Sequence, residues 1–170
     1  TAENGGQAVT AETVFTVDTT IYAQWTYVPP TVDVSAVTLD PSELTLAIDG
    51  TAALKATVAP ADATNKEVTW KSDNEAVATV DQSGNVTAVG LGEATITVTS
   101  AADPTKSAAC KVTVTYADVT SVTLSDTTLE LTKGDTATLT ATVLPATADQ
   151  TVTWSSSNEG VVTVDSSGEV

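Results

Sequence analysis

The chain has 170 residues, 41% hydrophobic but only 4% aromatic, and six lysines set against 22 acidic residues leave a net charge of −16. Clustered cations are what displace counterions from a phosphate backbone or an anionic bilayer, so this balance excludes nucleic acid and acidic lipid as partners. With no histidine, no arginine and a single thiol, catalysis would fall to carboxylate, serine or lysine. No strand-to-turn motif presents any of these, and the chain reads as non-catalytic, with no cofactor or metal assigned.

Residues 1–30 have a character of their own. Gly5-Gly6 marks a turn, Thr13–Val17 reads as a strand, Asp18-Thr19-Thr20 as a turn and Ile21–Tyr27 as a second strand. A lone hairpin is marginal in water, so these residues are expected to be the tail of a module that begins further upstream. Thr1-Ala2-Glu3-Asn4-Gly5-Gly6 and Thr19-Thr20-Ile21-Tyr22-Ala23-Gln24-Trp25 resemble the C-terminal part of the internalin-type B repeat, a small β-grasp-like surface repeat. The opening residues carry neither the basic start nor the apolar run of a signal peptide, and no stretch reaches membrane-spanning length. Val28-Pro29-Pro30-Thr31 follows as a short, stiff, extended linker, because proline fixes φ and removes a donor.

Residues 31–116 read as one complete all-β module. Strands are expected at Val34–Leu39, Glu43–Ile48, Ala52–Ala59, Glu67–Lys71, Ala76–Val80, Asn85–Val89, Ala94–Thr99 and Ala108–Thr115, with turn residues between them such as Asp49-Gly50 and Ser83-Gly84. Many short strands with frequent turns point to a sandwich. Alternation turns Leu44 and Leu46, Leu54, Val68 and Trp70, Ile96 and Val98, and Cys110 and Val112 inward. It turns Thr45, Lys55, Thr57, Thr69, Lys71, Thr95, Thr97, Lys111 and Thr113 outward, where a β-branched hydroxyl favours extended backbone without adding apolar surface.

At Tyr116 the pattern restarts. Val37-Thr38-Leu39 returns as Val122-Thr123-Leu124, an offset of 122 − 37 = 85, and Leu44, Leu46, Leu54 and Pro60 return as Leu129, Leu131, Leu139 and Pro145. One residue is lost before the tryptophan, after which Trp70, Asp81 and Gly84 map onto Trp154, Asp165 and Gly168. Residues 117–170 therefore read as a truncated second domain lacking the counterpart of Thr87–Thr115, with Trp154 deprived of its sheet neighbours, so that cooperative melting is expected only over 31–116.

Across residues 33–170 the motifs Val37-Thr38-Leu39, Pro60-Ala61-Asp62-Ala63-Thr64-Asn65-Lys66, Val68-Thr69-Trp70, Val77-Ala78-Thr79-Val80-Asp81, Gly84–Gly90, Gly92–Val98 and Ala109–Val114 are similar to those of tandem bacterial immunoglobulin-like domains of group 2. The resemblance implies an immunoglobulin-like β-sandwich in tandem. It also implies a setting in adhesins, cell-wall-attached proteins or multidomain extracellular enzymes, and no particular ligand.

Candidate sites are few. Asp81-Gln82-Ser83-Gly84-Asn85 and Asp165-Ser166-Ser167-Gly168-Glu169 superficially suggest cation loops, but their oxygens are too few and wrongly spaced, and hairpin turns with glycine at positive φ account for them better. Asp33, Asp40, Glu43, Asp118 and Asp126 lie near the module junctions and could meet a calcium ion, although Asp40 and Glu43 fall opposite Ser125 and Thr128 in the second copy. Trp70 and Trp154 are core residues rather than sugar-stacking platforms, while Trp25, Tyr22 and Tyr27 are left open. Cys110, flanked in alternation by Ala108, Val112 and Val114, is expected to be a buried small hydrophobe rather than a reactive thiol. Asn85-Val86-Thr87 fits a glycosylation sequon but reads as turn and strand.

The functional expectation is an extracellular spacer repeat of a bacterial cell-surface or secreted protein, supporting cell adhesion. Tyr116-Ala117-Asp118 leaves little slack between copies, and strands of about eight residues would give each module roughly 25–30 Å of reach. Its partners would be neighbouring modules of the same longer chain. The alternative is a binding module, either an adhesin surface for a host protein or an accessory domain that holds polysaccharide for an extracellular hydrolase. That reading calls for an exposed aromatic or apolar patch.

Overall fold

A computed structural model describes residues 29–170, and the hairpin expected before the Pro-Pro linker lies outside them. The described residues are all-β, with eleven strands and no helix. Nine of these belong to the first copy: β1 (Ala36–Asp40), β2 (Glu43–Ala47), β3 (Thr51–Ala53), β4 (Lys55–Ala59), β5 (Val68–Ser72), β6 (Ala78–Val80), β7 (Asn85–Ala88), β8 (Gly92–Ser100) and β9 (Ser107–Thr115).

The strands make two layers. In one, β2, β9, β8 and β5 follow one another across a four-stranded sheet. In it β9 runs parallel to β2, whereas β8 is antiparallel to both β9 and β5. In the other, β1 pairs with β4, and β3 pairs with β7, which pairs in turn with β6. Residues 52–59 were expected as one strand, but the ladder is interrupted at Leu54. This leucine is buried and its N–H donates to the Gly84 carbonyl at 2.9 Å. The chain changes partners there, from β7 to β1, because a kinked strand can follow the twist of both neighbours where a straight one cannot. The strand expected at 76–80 starts only at Ala78, since Val77 and Ala78 both donate to the Asn74 carbonyl and close a turn.

Between the layers the expected inward residues meet. Val86, Ile96, Val98, Cys110 and Val112 are all fully buried, and Leu39, Leu44, Leu46 and Val58 pack against them at the margin. β8 and β9 are the longest strands, nine residues each, and both lie inside the four-stranded sheet. Thr95, Thr97 and Thr113, expected outside, do face outward yet are half-buried, because neighbouring strands flank them on either side. Asp49 takes a left-handed φ of 66°, a conformation an aspartate tolerates better than most side chains. The equivalent position in the second copy is Gly134, at φ 98°.

That second copy contributes β10 (Ser121–Leu124) and β11 (Ala141–Leu144), antiparallel with Val122 opposite Val143. The register repeats that of Val37 opposite Val58 in the first copy. Two isolated bridges, Ala117 to Ala148 and Thr138 to Glu169, are the other ladder contacts described there. Residues 128–132 and 152–156 follow the paths of β2 and β5 in sequence but carry no strand, and no counterparts of β8 and β9 pair with them. The exposure of equivalent residues records the difference: Val37 is 7% exposed and Val122 56%, Val77 7% and Val161 80%.

Candidate functional site

The repeated tryptophan is the natural place to look for a site. In the first copy Trp70 stands on β5 opposite Val98 and is buried. Its ring is covered by the turn between β6 and β7. Gly84 has φ 84°, and a Cβ built there would lie 2.8 Å from Trp70 Cζ2 and 2.7 Å from the Leu54 carbonyl oxygen. Only glycine satisfies both the left-handed backbone and the contact with the indole face. The same arrangement recurs in the second copy, where a Cβ on Gly168 (φ 86°) would meet Trp154 Cζ2 at 2.9 Å and the Leu139 carbonyl oxygen. Trp154, however, is half-buried rather than buried, and residues 152–156 around it carry no strand.

The two acidic turns are organised by their own backbone. Asp81 Oδ1 accepts from the N–H groups of Ser83 (2.8 Å) and Asn85 (2.9 Å), and its Oδ2 accepts from Asn85 Nδ2 (2.8 Å). Asp165 repeats this, accepting from Ser167 N–H (2.8 Å), Ser167 O–H (2.7 Å) and Glu169 N–H (2.9 Å). The Asn85 side chain lowers the pKa of the Asp81 carboxyl and the Ser167 hydroxyl lowers that of Asp165, with backbone N–H groups adding to each. A carboxylate whose oxygens already hold donors is fixing a hairpin. The side-chain amide of Asn85, the first residue of the sequon, is engaged in the same bond.

Two further polar residues were not singled out by the sequence. Asp73 Oδ1 accepts from Thr95 N–H at 2.7 Å, and the Asp73 N–H donates to the Thr95 carbonyl at 3.1 Å, so the residue after β5 is locked onto β8. Hydrogen bonds from Thr95 hold the Asp73 pKa down. Ser72, which is buried, donates from Oγ to the Ala78 carbonyl at 2.7 Å, closing the β5–β6 turn. The only hint of either was the polar run Ser72-Asp73-Asn74 between two valine-rich strands.

The junction carboxylates Asp33, Asp40, Glu43, Asp118 and Asp126 are all exposed. Among the described residues no three His, Cys, Asp or Glu side chains come together as a metal-holding group. Asp40 lies opposite Lys55 and Glu43 opposite Lys111. Lys111 Nζ is 2.6 Å from Glu93 Oε1, with both side chains more than half exposed, so the ion pair adds little stability. Cys110 is fully buried on β9, and burial pushes its thiol pKa up. Tyr22, Trp25 and Tyr27 fall outside the described residues.

Two open cavities line the second copy, one of about 280 Å³ beside Val122, Leu124, Val152 and Trp154, the other of about 730 Å³ beside Leu129, Leu131, Leu139 and Val161. Their walls are the equivalents of first-copy residues that β8 and β9 cover. They are sandwich interior rather than a pocket with converging polar groups.

A two-layer β-sandwich in the first copy, with Trp70 in its interior, and a second copy that repeats its first ladder and its glycine-roofed tryptophan define an immunoglobulin-like architecture. The chain belongs to the bacterial Ig-like domain (group 2) family, whose model matches residues 33–112 and 118–170. An uncharacterized protein of Clostridium acetobutylicum is 38% identical over 137 residues, covering 80% of this chain and 14% of that protein. An Ig-like virion protein of Serratia phage KSP90 is 35% identical over 148 residues, covering 85% of this chain and 57% of its own length. An alpha-L-arabinofuranosidase of Bifidobacterium longum subsp. longum is 44% identical over 72 residues, 42% of this chain and 7% of the enzyme. The chain thus spans only part of each relative. Its first 32 residues lie outside the family match, and the internalin-type resemblance gains no support from it.

Proposed function

We propose that the chain is a non-catalytic spacer array, part of a bacterial cell-surface or secreted protein, which holds other domains away from the envelope and so supports adhesion. The observation that carries this is the commitment of the first copy's polar groups: Ser72, Asp73 and Asp81 each bond the backbone of a neighbouring strand or turn. Among the described residues, the outward positions of the first copy's sheets carry threonine and lysine. Its partners are then neighbouring modules of the same protein. The second reading, an accessory module that holds polysaccharide for a hydrolase, draws on the similarity to a stretch of the arabinofuranosidase. One experiment separates the two: glycan-array and host-matrix-protein binding by the 170-residue chain. The spacer reading expects no saturable binding, and saturable retention of a polysaccharide would replace it with the accessory reading.

A further inference from the structure

We propose that the first copy is built to carry tension, with β2 and β9 acting as a clamp loaded in shear. The inference deepens the spacer reading and rests on it for its biological purpose, but its physical content comes from the ladder. β2 is reached from the N-terminal side of the module and β9 is its last strand. The two are parallel, with Glu43 opposite Lys111 and Ala47 opposite Thr115. Bonds continue past both ends of the paired stretch, from Lys111 N–H to the Ser42 carbonyl at 2.9 Å and from Ile48 N–H to the Thr115 carbonyl at 3.0 Å.

A pull on the two ends of the chain first loads β1, which β4 holds from Ala36 opposite Ala59 to Asp40 opposite Lys55, and once that pair gives way it enters β2 at its first residue and leaves β9 at its last. The strands are drawn along each other in opposite senses. Ladder bonds lie across the strands, so sliding strains them all at once, whereas drawing paired residues apart breaks them one after another. Forced unfolding is governed by the barrier to opening, and a barrier that requires many bonds to fail together is the higher one.

Two features reinforce the clamp once it is loaded. β9 is backed along nearly its whole length by β8, from Gly92 opposite Val114 to Thr99 opposite Ser107. Leu44 and Leu46 on β2 pack against the buried core, so sliding would also drag apolar side chains out of their contacts.

The test is single-molecule pulling on the 170-residue chain through thiol handles placed at exposed positions, with Cys110 left buried. Asp33→Cys with Asp118→Cys loads the first copy end to end. Ser42→Cys with Ala109→Cys peels the ladder from one end, and Glu43→Cys with Lys111→Cys, residues that face each other across it, repeats the peel should the first pair disturb folding. The expected result is an end-to-end unfolding force about twofold or more above the peeling force. Equal forces in the two geometries, or a lower end-to-end force, overturn the clamp and leave the spacer reading standing. Saturable ligand binding in the assay above overturns the spacer reading and leaves the force ratio as it is.

Discussion

Gly84 and Trp70 form the smallest unit on which the first copy depends. Gly84→Ala would place a methyl group against both the indole and the Leu54 carbonyl while forcing an L side chain to a left-handed φ. Strain and overpacking each cost about 1–3 kcal/mol, so the variant should lower chemical stability by at least about 2 kcal/mol in a urea titration. An unchanged midpoint would mean that the turn does not bear on the ring. Sequence reading foresaw the positive φ, because glycine after serine between two alternating runs marks a hairpin. It could not foresee that the same glycine roofs the tryptophan, since that contact joins residues on different strands. Asp81 adds a pH dependence at this scale. Its pKa is depressed in the folded chain, mainly by Asn85, so its stabilising contribution is present above the ordinary aspartate range near pH 4 and is lost as pH falls through the lower folded value. Melting temperature should therefore fall on acidification below about pH 4, and Asp81→Asn should flatten that slope. A variant with the parent's slope would show that Asp81 contributes nothing to it.

Among the elements, the break at Leu54 was the least legible. Residues 52–59 alternate without interruption, and nothing in an alternating run marks where a strand trades one partner for another; that depends on where β1 and β7 lie. The consequence is a buried leucine at the point where β3 gives way to β4. Leu54→Ala should cost about 2–5 kcal/mol, the range for emptying a core site, and a loss well under that would show the kink to be loosely packed. The parallel pairing of β2 with β9 was similarly invisible, because pairing partners 68 residues apart (111 − 43) leave no local signal. By contrast β8 was legible within two residues at its start and one at its end. Strict alternation of Ala94, Ile96 and Val98 with threonine admits only one set of inward faces. Trp154 shares Val-Thr-Trp and the roofing glycine with Trp70, yet is only half-buried, so burial was not legible from the motif alone.

Over the whole molecule, the duplication is legible in the sequence, and among the described residues nine strands fall in the first copy and two in the second. Every described ladder and turn bond stays within its own copy, although Val32–Val170 groups as one unit by contact. Hydrogen exchange should therefore distinguish the copies, with amides of Val68–Val80 protected by more than those of Val152–Val164. Equal protection in the two segments would show that the second copy is as closed as the first. The roles of Asp73 and Ser72 were not legible in the sequence, because each depends on which strand comes to lie beside it. The confinement of described bonds to each copy also sets what happens when one gives way. The roughly 80 residues of a yielded first copy would pay out as a tether of about 280 Å before the covalent backbone took the strain, so that in the proposed spacer role a sudden load would be absorbed as lengthening.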